Sequence, residues 1–411
     1  MVAALFPPPR TGSGWLGKVT LALGAVFLAT TCYLVLKGAV SGGPAEAPAM
    51  SAEALKKLTP GERADAAVAA QRSFVRDPLD AAAVLGLAVL ADAEGNAEAS
   101  ERLRLSAGDM SPRATKIQAE AMIILLKRRD FDAVMTRVDG LIRARPSDAP
   151  KLFALAAEIA GDPDGAKAVA RMLASNPPWR ERFFASLLAK GQPATATRLM
   201  DELQAMGAPV RDAEVAGVVD NYMKAGAIDT AYAVWLSTLG ENELRDVKRV
   251  YDGGFAHPIR NLRFDWTVKP ADGLTYRQFP RNTASMDQTL QFDLADFKGS
   301  FANLSQMLRL RPGRFRLTGE VRFEGFESPT GLVFRLYCFE AGRFRPLDST
   351  APLPQSTQWI GFDKSFDVPP EGCTHQMLQL ESQRALEKSQ LTRGTVAVDA
   401  IDIDILPGLA P

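Results

Sequence analysis

Histidine occurs only twice in this chain, at His257 and His375, and cysteine three times. General acid–base chemistry near neutral pH draws first on histidine, so the inventory leaves little for a hydrolase or a transferase. His257 precedes Pro258 and His375 follows Cys373 by two residues, in neither case beside a nucleophile. The chain has no Gly-x-Ser-x-Gly elbow, no phosphate-binding loop and no paired metal-ligand motif. Glycosidase chemistry needs only two carboxylates, but no spacing marks a pair. Charge of one sign is also missing: Lys plus Arg and Asp plus Glu each total 48, with an isoelectric point near 6.8. Nothing draws the chain globally to nucleic acid or to an anionic membrane. The expectation is a protein that works by binding, with no catalytic residues, no cofactor and no metal.

What is present is a rhythm of prolines. Pro78, Pro112, Pro146, Pro177 and Pro209 follow one another at gaps of 34, 34, 31 and 32 residues. Midway through each interval sits a turn signal: Gly95-Asn96, Arg129-Asp130, Gly161-Asp162-Pro163, Gly191-Gln192-Pro193 and Gly226. Each unit therefore reads as helix, turn, helix, break. Units of this kind bury their apolar faces only by stacking, which builds one continuous core and a surface suited to holding another molecule. Leu85 and Leu155 are expected in the seams.

Ahead of the repeats, 18 uncharged residues lie between Lys18 and Lys37, with Trp15 and Tyr33 near the ends. That length suffices for one membrane helix, with both lysines reaching outward. A cleaved signal peptide is the competing reading, although its apolar stretch is usually shorter. Arg10, Lys18 and the amino terminus precede the span, which places the N-terminus in the cytoplasm and the bulk of the chain across an inner membrane, in the periplasm. Cys32 falls in the span, leaving Cys338 and Cys373 as a lone pair in the exported part. A disulfide between them is expected; two free thiols in a reducing compartment are the alternative.

Near Arg245 the texture changes to period-two alternation, over 261–268, 288–293, 313–323, 331–339 and 394–405. Gly and Pro turns between such runs argue for an antiparallel sandwich of eight or nine strands. The expected organisation is multidomain: a cytoplasmic tail (1–18), a transmembrane helix (19–36), a linker rich in Gly, Ala and Pro (37–50), an all-α helical-repeat solenoid (51–245) and an all-β jelly-roll sandwich (246–411).

Two resemblances sharpen this reading. The helical stretch resembles the tetratricopeptide repeat family in its period, in the small Gly86 after Leu85, and in the turn that begins at Gly95; the first-helix Trp and Tyr of the family are missing from most units. That resemblance implies a scaffold whose groove holds a peptide or a protein. In the second half, Gly253-Gly254-Phe255, then Leu310 to Leu317 with its Pro312-Gly313 turn, then Val398 to Ile403, follow in the order seen in the jelly-roll family of carbohydrate-binding modules. That resemblance implies a glycan ligand and neighbouring strands for the first and last of these motifs. A glutamate of the family, often a calcium ligand, is Ala256 here, so although Asp399 matches the late aspartate, the resemblance does not supply a calcium site.

Aromatic faces stack on pyranose rings and planar polar groups hold their hydroxyls. Trp359 and Tyr276, in less regular stretches, are the candidate platforms; Trp266 is expected in the core. Arg314 and Arg316, with Arg309 and Arg311 nearby, form a candidate strip for acidic polysaccharide, since guanidinium pairs bidentately with carboxylate; such arginines on a strand are otherwise solvated. The function expected is that of an anchored envelope adaptor in polysaccharide assembly or export, with a protein partner on the repeats and glycan on the sandwich. The alternative is a purely protein–protein scaffold with no sugar site.

Overall fold

The structure, a computed structural model, describes residues 59–281, 288–340 and 342–406. The expected tail, membrane helix and linker lie outside the described residues. Among the described residues no helix is long and apolar enough to cross a membrane. The described residues hold twelve α-helices followed by ten β-strands, and the chain divides into two compact units, 1–209 and 210–411.

After α1 (Pro60–Arg76) the helices come in pairs: α2 (Ala81–Ala93) with α3 (Ala97–Met110), α4 (Thr115–Lys127) with α5 (Phe131–Ala144), α6 (Ala149–Ile159) with α7 (Pro163–Ala174), α8 (Arg180–Ala189) with α9 (Pro193–Ala205), and α10 (Asp212–Lys224) with α11 (Ile228–Ser237). Each of the five spaced prolines falls in the break ahead of a pair. The turn inside a pair is built locally. Asn96, Asp130 and Asp162 accept hydrogen bonds from backbone N–H groups in the first turn of the second helix, satisfying donors the helix cannot. Arg129, Gly95, Gly191 and Gly226 take the left-handed conformation that ends the first helix.

In the first unit, second helices of successive pairs pack on one another (α5 on α7, α7 on α9), as do the first helices α6 and α8. Leu155, Val169, Leu173 and Phe183 are fully buried in the resulting core, and Leu85 is buried as well. Close approach is set by small residues: a Cβ on Gly108 would meet Ala121 at 2.8 Å. Between pairs, Arg171 holds Asp132 and the Trp179 indole donates to Asp139 at 2.8 Å.

The second unit begins with a helical pair, not with the sandwich. Sequence texture changes near Arg245, but α10 and α11 belong to the compact unit that follows. The reason is their apolar face. Tyr232 and Trp235 of α11 pack on Phe264, with ring centroids 5.1 and 5.8 Å away, and Trp235 meets Tyr251 edge-on. Arg260 and Arg263 pair with Asp212 and Asp220 of α10. The short α12 (Glu241–Arg245) then leads into the strands.

A first sheet runs in the order β1 (Thr267–Val268), β4 (Leu304–Leu308), β9 (His375–Ser382), β6 (Leu332–Glu340), β7 (Arg343–Ser349). A second runs β2 (Leu274–Pro280), β3 (Gln288–Lys298), β10 (Leu391–Ile405), β5 (Gly313–Glu327), β8 (Ile360–Val368). All neighbours are antiparallel. Phe292, Leu317, Phe334, Leu336, Leu378, Val398 and Ile403 fill the space between the sheets. The described residues hold ten strands where eight or nine were expected; the additional ones include the two-residue edge strand β1. The run 261–268 is not the strand that its alternation suggested. Asn261 and Arg263 have φ of 60° and 69°, and the Asp265 carboxylate accepts from Leu262 N–H at 2.9 Å, so the backbone coils until Thr267. Trp266 is in the core as expected, its indole donating to the Asp252 carbonyl.

Candidate functional site

Cys338, at the end of β6, is bonded to Cys373, just before β9, with Cα atoms 4.8 Å apart. The two strands are neighbours, Cys338 facing Gln376 across the ladder, so the bond ties adjacent strands of the first sheet.

The residues read from sequence as glycan contacts do not converge. Arg314 and Arg316 alternate with buried Phe315 and Leu317 and so stand on the outer face of the second sheet. There Arg316 donates to Asp363 at 3.2 Å and Arg314 lies 3.9 Å from Asp367, both on β8. Trp359 sits close to the same face, with the guanidinium carbons of Arg281 and Arg322 at 4.9 and 5.4 Å from its ring centroid. Arg322 lies six positions along β5 from Arg316, roughly 20 Å of strand. Tyr276 is turned the other way: on edge strand β2, opposite Phe292, it packs its ring on that core residue and is 42% exposed.

The outer face of the first sheet carries a tighter constellation. Leu336, Cys338, Leu378 and Leu380 point into the core, so alternation turns Arg335, Tyr337 and Phe339 of β6 and His375, Met377, Gln379 and Glu381 of β9 outward. Cross-strand register sets Tyr337 beside Met377 and Arg335 beside Gln379. The Tyr337 hydroxyl donates to one oxygen of Glu381 at 2.6 Å, and Arg335 Nε donates to the other. Burial and this carboxylate push the Tyr337 phenol up to about 12. Gln379 donates to the Ala302 carbonyl at 3.2 Å. On β7, Phe344 packs against Phe339 and Tyr337, with centroids 4.6 and 6.3 Å away, and is 46% exposed. Among the described residues this face joins aromatic rings, a carboxylate, a guanidinium and an amide, the groups that hold a polyol. Sequence reading singled out none of Arg335, Tyr337, Gln379 and Glu381 as a glycan contact. The signal was there: three polar residues at alternate positions within apolar strands.

The Gly253 carbonyl accepts from Ile401 N–H at 2.9 Å, and a Cβ on Gly253 would meet the Ile401 oxygen at 1.8 Å. The early and late landmarks of the sequence therefore do lie side by side. The residues there do not suit a calcium ion. Asp252 accepts from the N–H groups of Ala256 and His257, and Asp399 is engaged by Arg281 at 3.2 Å. Among the described residues no three His, Cys, Asp or Glu gather as a metal site. Burial raises Asp252 to about 6 and Asp265 to about 7, each holding backbone N–H groups. His257 stacks on Tyr251 and bonds Asp246; His375 is buried beneath Asp229 of α11, and burial lowers its pKa.

No protein-family profile matches the chain, and no curated protein does. Solved structures similar to part of it include a CBM4 structure (11% identity, 38% of this chain, 99% of that one, TM-score 0.29). Another is TmCBM61 in complex with β-1,4-galactotriose (15% identity, 39% of this chain, 99% of that one, TM-score 0.25). A third is the CBM22-1 xylan-binding domain from Paenibacillus barcinonensis Xyn10C (15% identity, 35% of this chain, 87% of that one, TM-score 0.26).

Proposed function

We propose that this chain is a non-catalytic binding protein whose C-terminal unit engages polysaccharide through the outer face of its first sheet, around Tyr337, Glu381, Arg335 and Gln379. The observation that carries this reading is the shared hydrogen bonding of Glu381 to Tyr337 and Arg335 beside an exposed Phe344. The network holds the partly exposed Tyr337 and Arg335 rigid over a mostly buried Glu381 and a buried Gln379, which lowers the entropy cost of gripping a sugar. The tandem hairpins are read as a tetratricopeptide-like scaffold for a protein partner, supported by the proline period and by helix-on-helix stacking between pairs. The apolar segment 19–36 supports an inner-membrane anchor, with the rest of the chain in the periplasm and a role in polysaccharide assembly or export.

Native affinity gels holding soluble polysaccharides test the glycan part. The full chain should be retarded by at least one polymer, and Tyr337→Ala and Glu381→Gln should each weaken retention about 10-fold or more, the loss expected for a hydrogen bond to a charged group. Variants retained as strongly as the unaltered chain would place the glycan site away from this face, and no retardation of the full chain by any polymer would favour a purely protein-binding sandwich.

A further inference from the structure

At one end of this face the neighbour is a helix. His375, one row from Tyr337 along β9, has its Nε2 3.7 Å from Asp229 of α11. Arg309, which follows β4, donates to Asp229 at 2.9 Å and lays its guanidinium 5.6 Å from the Tyr232 ring centroid. Asp229 and Arg309 are both more than half exposed. A polar, aromatic end wall thus rises beside the sheet, contributed by a helical pair that the strands alone would not provide.

Charge on this surface is compensated pair by pair. Arg335 faces Glu381, Arg309 faces Asp229, and Arg263 faces Asp220. His375, buried with its pKa lowered, adds no cation at neutral pH. An anionic polymer approaching any of these arginines would meet the carboxylate already bound to it, and at Arg335 displacing that partner leaves the mostly buried Glu381 charge unpaired. Uncharged sugar hydroxyls both donate and accept, so they suit a carboxylate and a guanidinium held together without breaking the pair.

Resting on the glycan reading of this face, we infer that α11 completes the site through Asp229 and Tyr232, together with Arg309 just after β4, and that its ligand is an uncharged polysaccharide. The recognition unit is then 210–411, helical pair included.

The test runs the full chain through gels holding hydroxyethylcellulose, galactan or xylan as neutral probes, and alginate or polygalacturonate as acidic ones, at physiological salt. A neutral polymer should retard it and the acidic ones should not. Arg309→Ala and Asp229→Asn should each weaken that retention about 10-fold, with melting temperature unchanged, and Arg309→Lys should restore part of it. Should one variant fail to fold, the other, at an exposed position, still decides. Retention lost in Tyr337→Ala but kept in both wall variants removes α11 from the site and leaves the glycan reading standing. Retention by acidic polymers alone overturns the neutral ligand. No retention by any probe, or none that depends on Tyr337, overturns both.

Discussion

Asp265 shows how a single side chain can carry a measurable pH dependence. It is 4% exposed, accepts from Leu262 N–H, and has Arg260 and Asp212 as its charged neighbours. Burial raises its pKa to about 7, against about 3.9 in an unfolded chain. Between these values the folded state binds the extra proton, so this residue's contribution is fully present below pH 4 and is lost as pH rises toward 7. Asp265→Asn keeps an oxygen for Leu262 N–H and has nothing to ionise. Its stability relative to the unaltered chain should climb from pH 4 to pH 7 and level off at a gain of about 3 to 4 kcal/mol. Urea titrations across that range check it; a difference flat with pH would mean that Asp265 stays ionised.

Among the elements, the helices depend on seams between pairs more than on their own propensity. Leu155 of α6 is fully buried and Leu85 of α2 slightly less so. Truncation to Ala should cost about 2 to 5 kcal/mol, with Leu155 at the upper end because its surroundings leave least room to relax. Urea unfolding measures this. Near-zero change at Leu155 would place its side chain outside the seam. In the sandwich, the Cys338–Cys373 bond closes a loop with a sequence separation of 35. Its loss through Cys373→Ser should lower stability by about 3 to 4 kcal/mol in the chain-entropy model, seen as a fall in urea midpoint that added reductant reproduces in the unaltered chain.

For the whole molecule, the disulfide and the apolar segment 19–36 make linked predictions. Removing residues 1–40 should release the chain from sedimenting membranes into the soluble fraction, since the expected span goes with them. In its native cell the full chain should carry Cys338 and Cys373 bonded, because such a bond persists in an oxidising compartment. Alkylation of both thiols without reductant would place the C-terminal unit in a reducing compartment and remove the periplasmic assignment. Genes neighbouring this one for polysaccharide synthesis or export would favour the glycan reading over a protein-only scaffold.

What the sequence determined by itself is local and periodic. Pro and Gly at near-constant spacing, with Asn96, Asp130 and Asp162 as caps, set the helix pairs, because turns and caps depend on residues within a few positions of one another. Alternation located β3, β5, β6 and β10 for the same reason. Tertiary structure decided the rest. It buried Asp265 and coiled the segment around it; it assigned α10 and α11 to the second unit, where Tyr232 and Trp235 find Phe264. It also assembled the candidate face from residues 44 to 46 positions apart in the chain, Tyr337 and Arg335 with Glu381. Which strand lies beside which is set by packing of the whole core, and no local period encodes it.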